Sequence, residues 1–173
     1  MIDETIRLNN IVVEFLDFAR PQQAHLQPTD VNQLLRKLLE FLSHELKSQG
    51  IDLITDFAPD LPESNLDHDL FYRALLNILM NSIQSMTESG ELQVSTCRSP
   101  GGGTQLAIRD SGMGMSPEKL EQIFKPFFTD KIKGTGLGLA ITMSIIENHN
   151  AEIAVQSEEG RGTTFTITLP PAI

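Results

Sequence analysis

A chain of 173 residues and 19.2 kDa suits one domain of ordinary size, with or without an appendage. With 40% hydrophobic and 21% charged residues it can build a packed core, which excludes a disordered chain. Its net charge of −10 and pI near 4.7 exclude non-specific nucleic-acid binding, which needs a basic footprint.

Against that acidic background four of the six lysines, Lys119, Lys125, Lys131 and Lys133, fall within fifteen residues, so one small basic region is expected. The single Cys97 has no disulfide partner and belongs to no Cys/His metal pattern, as expected of a reducing, cytoplasmic setting. No apolar run approaches the roughly 18 residues of a spanning helix, and no signal-peptide pattern opens the chain. Any anchor that ties a longer parent to the inner membrane is expected outside this sequence.

From Met1 to Arg20 the pattern is helical. One heptad-spaced stripe runs through positions 2, 6, 9, 13 and 16, and a second through 1, 5, 8, 12 and 15. The resulting broad apolar face predicts pairing with other helices, in this chain or in a second copy, and hence a homodimer through residues 1–20. Pro21 ends the helix and the stretch toward Pro28 reads as linker; the boundary is drawn at residues 21–25, with a second domain over 26–173.

Asp30 caps a second helix whose apolar positions 31, 34, 35, 38, 39, 42 and 46 carry it to Gly50. Residues 51–57 alternate like a strand, a third helix runs from about Asp67 to Thr87, and strands 91–98 and 104–109 are joined by Pro100-Gly101-Gly102-Gly103 as a hairpin. A short helix at about 117–124, a glycine-rich stretch and a helix at about 137–149 follow. Two closing strands, 151–157 and 163–169, flank the turn from Glu158 to Gly162. The predicted fold is an α+β two-layer sandwich: a mostly antiparallel sheet with about three helices on one face.

Two glycine clusters punctuate the second half: Asp110-Ser111-Gly112-Met113-Gly114 and Gly134-Thr135-Gly136-Leu137-Gly138. Neither has the P-loop or dinucleotide-fold spacing. The second runs into a helix, where backbone N–H groups freed at the N-terminus favour phosphate; ordinary turn chemistry accounts for it equally well. Asn77, Asn81 and Gln84 draw a polar line along an otherwise apolar helix. It is either an interfacial stripe or a source of amide oxygens for Mg²⁺, which prefers oxygen ligands shared with nucleotide phosphates.

Taken in order, Asn77-x-x-x-Asn81, Asp110-x-Gly112-x-Gly114, Phe124-Lys125-Pro126-Phe127-Phe128 and Gly134-Thr135-Gly136-Leu137-Gly138 resemble the N, first glycine, F and second glycine boxes of sensor histidine kinases. Gly160-Arg161-Gly162-Thr163 is similar to the closing glycine box, and Phe18-Ala19-Arg20-Pro21 looks like the end of that family's second dimerisation and phosphotransfer helix. The likeness covers about residues 26–173. It implies the ATP-binding fold shared with gyrase and heat-shock chaperones, and an ATP·Mg²⁺ site.

In that site, the resemblance implies, Asp110 accepts a hydrogen bond from the adenine amine and rejects guanine, which presents a carbonyl there. Gly112 and Gly114 admit the base and ribose, and Thr163 supports the adenine side through its hydroxyl. Asn81 holds Mg²⁺ with Asn77 assisting, and Gln84 extends their line. Residues 115–133 form a lid, in which Phe127 and Phe128 anchor the hinge, Thr129 lies beside them and Lys131 neutralises phosphate. Gly136 and Gly138 face the phosphates, within a stretch from Gly134 through Thr135 and Leu137 to Leu139. The implied partners are a phosphotransfer-domain His and a response regulator.

The match departs from the family at two points. His149 is followed by Asn150-Ala151 where glycines are usual, and Asn tolerates the left-handed conformation next best. No phosphoacceptor box precedes the first helix, so a catalytic fragment that does not label itself is expected. His44-Glu45-Leu46-Lys47 imitates the opening of such a box, but Ser48-Gln49-Gly50 breaks it, and His44 sits inside the ATP-binding domain. His25 and His68 read as structural or surface residues. His149 reads as a helix-end residue whose partial positive charge suits the macrodipole. Superfamily ATPases and serine kinases carry a base Glu four residues before the metal-binding Asn; Asn77 stands there, which favours histidine phosphorylation. The alternative from another class is a nucleotide-binding module that regulates a partner without catalysis.

Overall fold

Two carboxylates start the two long helices. Asp30 accepts from the Gln33 N–H at 3.0 Å and opens α1, Val31–Ser48; Asp67 accepts from the Leu70 N–H at 3.1 Å and opens α2, His68–Ser85. The structure, a computed structural model, describes residues 24–130 and 134–172. The expectations for the helix and dimer contact of residues 1–20 and for Lys131 and Lys133 therefore lie outside the described residues, as does most of the linker.

The strands are β1 Gln27–Thr29, β2 Ile51–Phe57, β3 Ser64–Leu66, β4 Gly90–Arg98, β5 Thr104–Asp110, β6 Glu152–Glu158 and β7 Gly162–Leu169. Two shorter helices complete the order: α3, Pro117–Leu120, inside the segment 115–133 expected to form the lid, and α4, Gly138–Asn148, before β6. Five strands form one sheet in the order β2-β4-β5-β7-β6, with every pair antiparallel except β2–β4. Alternate residues of the central strands, Leu92 and Val94, Leu106 and Ile108, Phe165 and Ile167, are buried against α1 and α2. A smaller cluster of Ala74, Leu137, Ile141 and Ile145 joins α2 to α4. The expected sandwich, with three helices on one face, is the fold observed.

The structure refines several expectations. The β2–β4 pair is parallel because the chain crosses over through β3 and α2, a connection too long for a hairpin. β1 and β3 form a separate antiparallel pair inside what reads as linker and loop; three residues, one of them Pro28, are too few to show a period. The short helix stops at Leu120 rather than near position 124. β2 is an edge strand in which only Ile51 is buried, and it presents Asp52 and Asp56 along an exposed edge. Its apolar alternation therefore does not mark a buried face.

Asn32, a polar side chain in the buried stripe of α1, is fully used: Nδ2 donates to the Ala58 carbonyl at 2.9 Å and Oδ1 accepts from the Thr96 hydroxyl at 2.8 Å. It ties α1 to the far ends of β2 and β4 at no unpaired polar cost.

His149 is a helix-end residue, as expected, but the charge assigned to it is corrected. It is buried, its Nε2 accepts from the Asp67 N–H at 2.9 Å, and its Nδ1 lies 2.7 Å from the Ile145 carbonyl. One nitrogen needs its lone pair and the other its proton, so the two bonds assign the uncharged Nδ1–H tautomer. The ring also meets Phe71 edge-on at 5.5 Å. His149 thus bolts the end of α4 to the start of α2.

Asp67 carries this junction. Burial penalises its charge, but the N–H groups of Leu70, His25 and Asp69 outweigh that and hold the carboxyl below the ordinary value of 3.8. A depressed carboxyl stabilises the fold above its unfolded-state value and loses that contribution as pH falls through the folded-state value. Asp67→Asn keeps a competent cap and removes the charge, so it should be less stable than the parent at neutral pH. The gap should close on acidification, measured by urea unfolding across a pH series; a pH-independent gap would refute this role.

Candidate functional site

The chain encloses a cavity of about 520 Å³ between α2, the ends of β5 and β7, and the uncapped start of α4, in the size range of ligand pockets. From α2, Asn77, Asn81 and Gln84 reach it, since positions three and four apart share a helix face. Asp110 enters from the end of β5 and Thr163 from the facing residue of β7, the two being register partners. Gly114 lies on the loop after β5, Phe128 and Thr129 on the lid, and Gly134, Thr135, Gly136, Gly138 and Leu139 at the approach to α4. Four separated motifs thus converge on one cavity.

Asp110 is 2% exposed, and its two oxygens have different fates. Oδ1 accepts from the Gly112 N–H at 3.0 Å and from the Thr163 N–H at 3.2 Å. Ser85 Oγ stands 3.2 Å from the same oxygen while giving its proton to the Ser82 carbonyl 2.7 Å away. Among the described residues nothing donates to Oδ2. A buried carboxylate with one oxygen clamped by backbone and the other unsatisfied on a cavity wall is a receptor for an external N–H donor.

The clamp depends on close backbone approach. A Cβ at Gly162 would fall 1.9 Å from the Asp110 carbonyl oxygen, and this residue has φ +90°, so only glycine lets β7 reach the end of β5. Gly138 meets the Asn77 amide in the same way: a Cβ there would stand 2.6 Å from Oδ1. Asn77 Nδ2 donates to the Thr142 hydroxyl at 2.9 Å, which leaves Oδ1 turned toward the first residue of α4. That helix begins with no side-chain cap, so its first N–H groups remain for an anion.

Four expected site residues take other parts. The Thr163 hydroxyl pairs with Ser157 Oγ at 2.9 Å; the residue serves Asp110 through its backbone N–H instead. Gly112 does not line the cavity and acts through its N–H on Asp110. Leu137 is buried in the α2–α4 cluster, because a hydrophobic residue opening a helix against apolar neighbours packs inward. Phe127 does not anchor the hinge: its side chain is 61% exposed, and its backbone, at φ +66°, donates to the Gly136 carbonyl at 2.9 Å. Phe128, beside it, packs against the core.

Sequence reasoning missed Ser82, Ser85, Met113, Met115, Lys119, Ile123, Asp130 and Phe165, all on the wall. Two were within reach of periodicity: Ser85 is four residues beyond Asn81, and Phe165 shares a strand face with Thr163. Lys119 and Asp130, which form an ion pair between α3 and the other end of the 115–133 segment, meet only through tertiary folding. The described residues hold no cluster of three His, Cys, Asp or Glu that could cage a metal. The amide oxygens of Asn77 and Asn81 fit Mg²⁺ only as a partial shell, the remainder coming from phosphate and water.

Residues 66–173 match the family described as histidine kinase-, DNA gyrase B-, and HSP90-like ATPase. Over 170 residues, 98% of this chain, it is 39% identical to sensor histidine kinase ZraS of Escherichia coli (strain K12), of which it spans 36%. It is 35% identical over 167 residues to sporulation kinase E of Bacillus subtilis (strain 168), covering 96% of this chain and 23% of that one. Among solved structures, full-length ShkA in complex with AMPPNP superimposes with a TM-score of 0.83 at 28% identity, covering 94% of this chain and 35% of the other. On this ground the chain belongs to the histidine kinase-, DNA gyrase B- and HSP90-like ATPase family.

Proposed function

We propose that the chain binds Mg²⁺·ATP in this cavity and transfers the γ-phosphate to a histidine of a phosphotransfer domain, for relay to an aspartate of a response regulator. The observation that carries it is Asp110, with Oδ1 held by two backbone N–H groups and Oδ2 left for an exocyclic amine. Adenine offers that amine and guanine offers a carbonyl, which would set oxygen against a buried carboxylate. ShkA, described with AMPPNP, supports the same ligand class.

The residues divide the work along the cavity. Asp110 fixes the base, while the N–H groups opening α4 and the amides of Asn77 and Asn81 lie where phosphates would extend. Mg²⁺, held by those amide oxygens, would neutralise phosphate charge. Asn77 offers no carboxylate and is tied to Thr142, so nothing at that position activates water or a hydroxyl. The acceptor must bring its own base, as a histidine beside an acidic residue does, and this favours phosphotransfer over hydrolysis or serine phosphorylation.

All four histidines lie among the described residues and none lines the cavity. His44 is exposed on α1, and no α1 residue reaches the cavity wall. Residues 1–20 are proposed to pair with a second copy, in the cytoplasm.

Two outcomes test the proposal. Asp110→Asn should weaken binding of an ATP analogue by about 2–4 kcal/mol, roughly 30- to 1,000-fold, because an amide can set donor against donor. Calorimetric titration measures it, and a change under threefold would remove the adenine assignment. Incubation with γ-labelled ATP should leave the chain unlabelled yet label a supplied phosphotransfer domain. Acid-labile label on the chain that vanishes in His44→Gln would make His44 the acceptor.

A further inference from the structure

Lys119 is the only Lys or Arg among the described residues that line the cavity, and nothing in the sequence singled it out as a site residue. It sits on α3 with its Nζ paired to Asp130 of the lid, and the Lys119 side chain is 29% exposed against 57% for Asp130. Both residues line the cavity, and the lysine is the more buried of the two. We propose that Lys119 is a phosphate-binding, specificity-determining residue of the nucleotide site, held on Asp130 until a polyphosphate displaces that carboxylate. The proposal rests on the ATP-binding reading and deepens it.

Charge decides the matter. The described wall carries the carboxylates of Asp110 and Asp130 against the single ammonium of Lys119, a net negative lining. A neutral nucleoside meets no penalty there, whereas a triphosphate carries more negative charge than one Mg²⁺ neutralises, and the remainder is repelled unless a protein cation meets it. The uncapped N-terminus of α4 supplies only a partial charge. Lys119 supplies a whole one, on a flexible stem whose pair with Asp130 is half open to water and therefore weak. Exchanging a solvent-screened carboxylate for a polyphosphate inside the cavity is favourable, because the new partner carries more charge in a drier place. The exchange makes the cavity favour a polyphosphate over the uncharged nucleoside.

The test compares ATP, ADP and adenosine on the parent, Lys119→Ala and Lys119→Arg, with thermal melts confirming folding. Affinities come from calorimetry for the nucleotides and NMR titration for adenosine. Lys119→Ala should weaken ATP by about tenfold and leave adenosine within twofold, and Lys119→Arg should restore most of the ATP affinity. An unchanged ATP affinity in Lys119→Ala would overturn the proposal, and so would equal losses for ATP and adenosine, which mark a structural effect. If the parent binds neither ATP nor adenosine, the nucleotide reading itself fails and takes this role with it; the parent titration tells the two failures apart.

Discussion

The β5–β7 register is the constraint on which the site depends. It sets Asp110 opposite Thr163, and the approach is possible only because Gly162 carries no side chain. Through that contact the ladder hydrogen bonds of the sheet continue into a carboxylate clamp, with the Thr163 and Gly112 N–H groups both aimed at Oδ1. The position of the Asp110 carboxylate is therefore set by sheet geometry and backbone donors, which no side-chain rearrangement can easily spoil. The burial cost of the charge is met by those donors, and the remaining oxygen is held ready at the cavity wall.

The opposite end of the cavity is organised by α4, which is fastened at both of its ends to α2. Asn77 reaches Thr142 near the start, and His149 reaches the Asp67 N–H at the finish. Between them the Ala74, Leu137, Ile141 and Ile145 cluster fills the gap. A helix of eleven residues is marginal alone; here packing and two polar bolts fix where its N-terminus points. The anion-facing end of α4 and the amide line of α2 are thus one rigid unit, while the lid side meets it through backbone contact between Phe127 and Gly136.

What the sequence disclosed follows the physics of each feature. Long periodic helices, the capping Asp30, the glycine-bearing hairpin and the order of the polar and glycine motifs were all legible, because each depends on local chemistry. The two three-residue strands were not, since no period fits in three positions. Side-chain roles were harder than side-chain places. Thr163 lies where expected but works through its N–H, and Phe127 and Phe128, adjacent in sequence, part company because one takes a positive φ that turns it outward. His149 looked like a charge for a helix end; only its two partners, 82 and four residues away, show an uncharged bridge. Lys119 and Asp130 carry no motif, and their pairing exists only in three dimensions.

The exposed edge of β2 has a consequence for behaviour at high concentration. Among the described residues, the seven of that strand have no neighbouring strand on one side, a ready template for another chain, and Leu53 and Ile54 lie open on it. Asp52 and Asp56 flank those two residues, so a second copy approaching edge to edge meets like charge at both ends of the apolar stretch. Charges placed in this way disfavour edge-to-edge pairing, the part that gatekeeper residues play beside apolar strands.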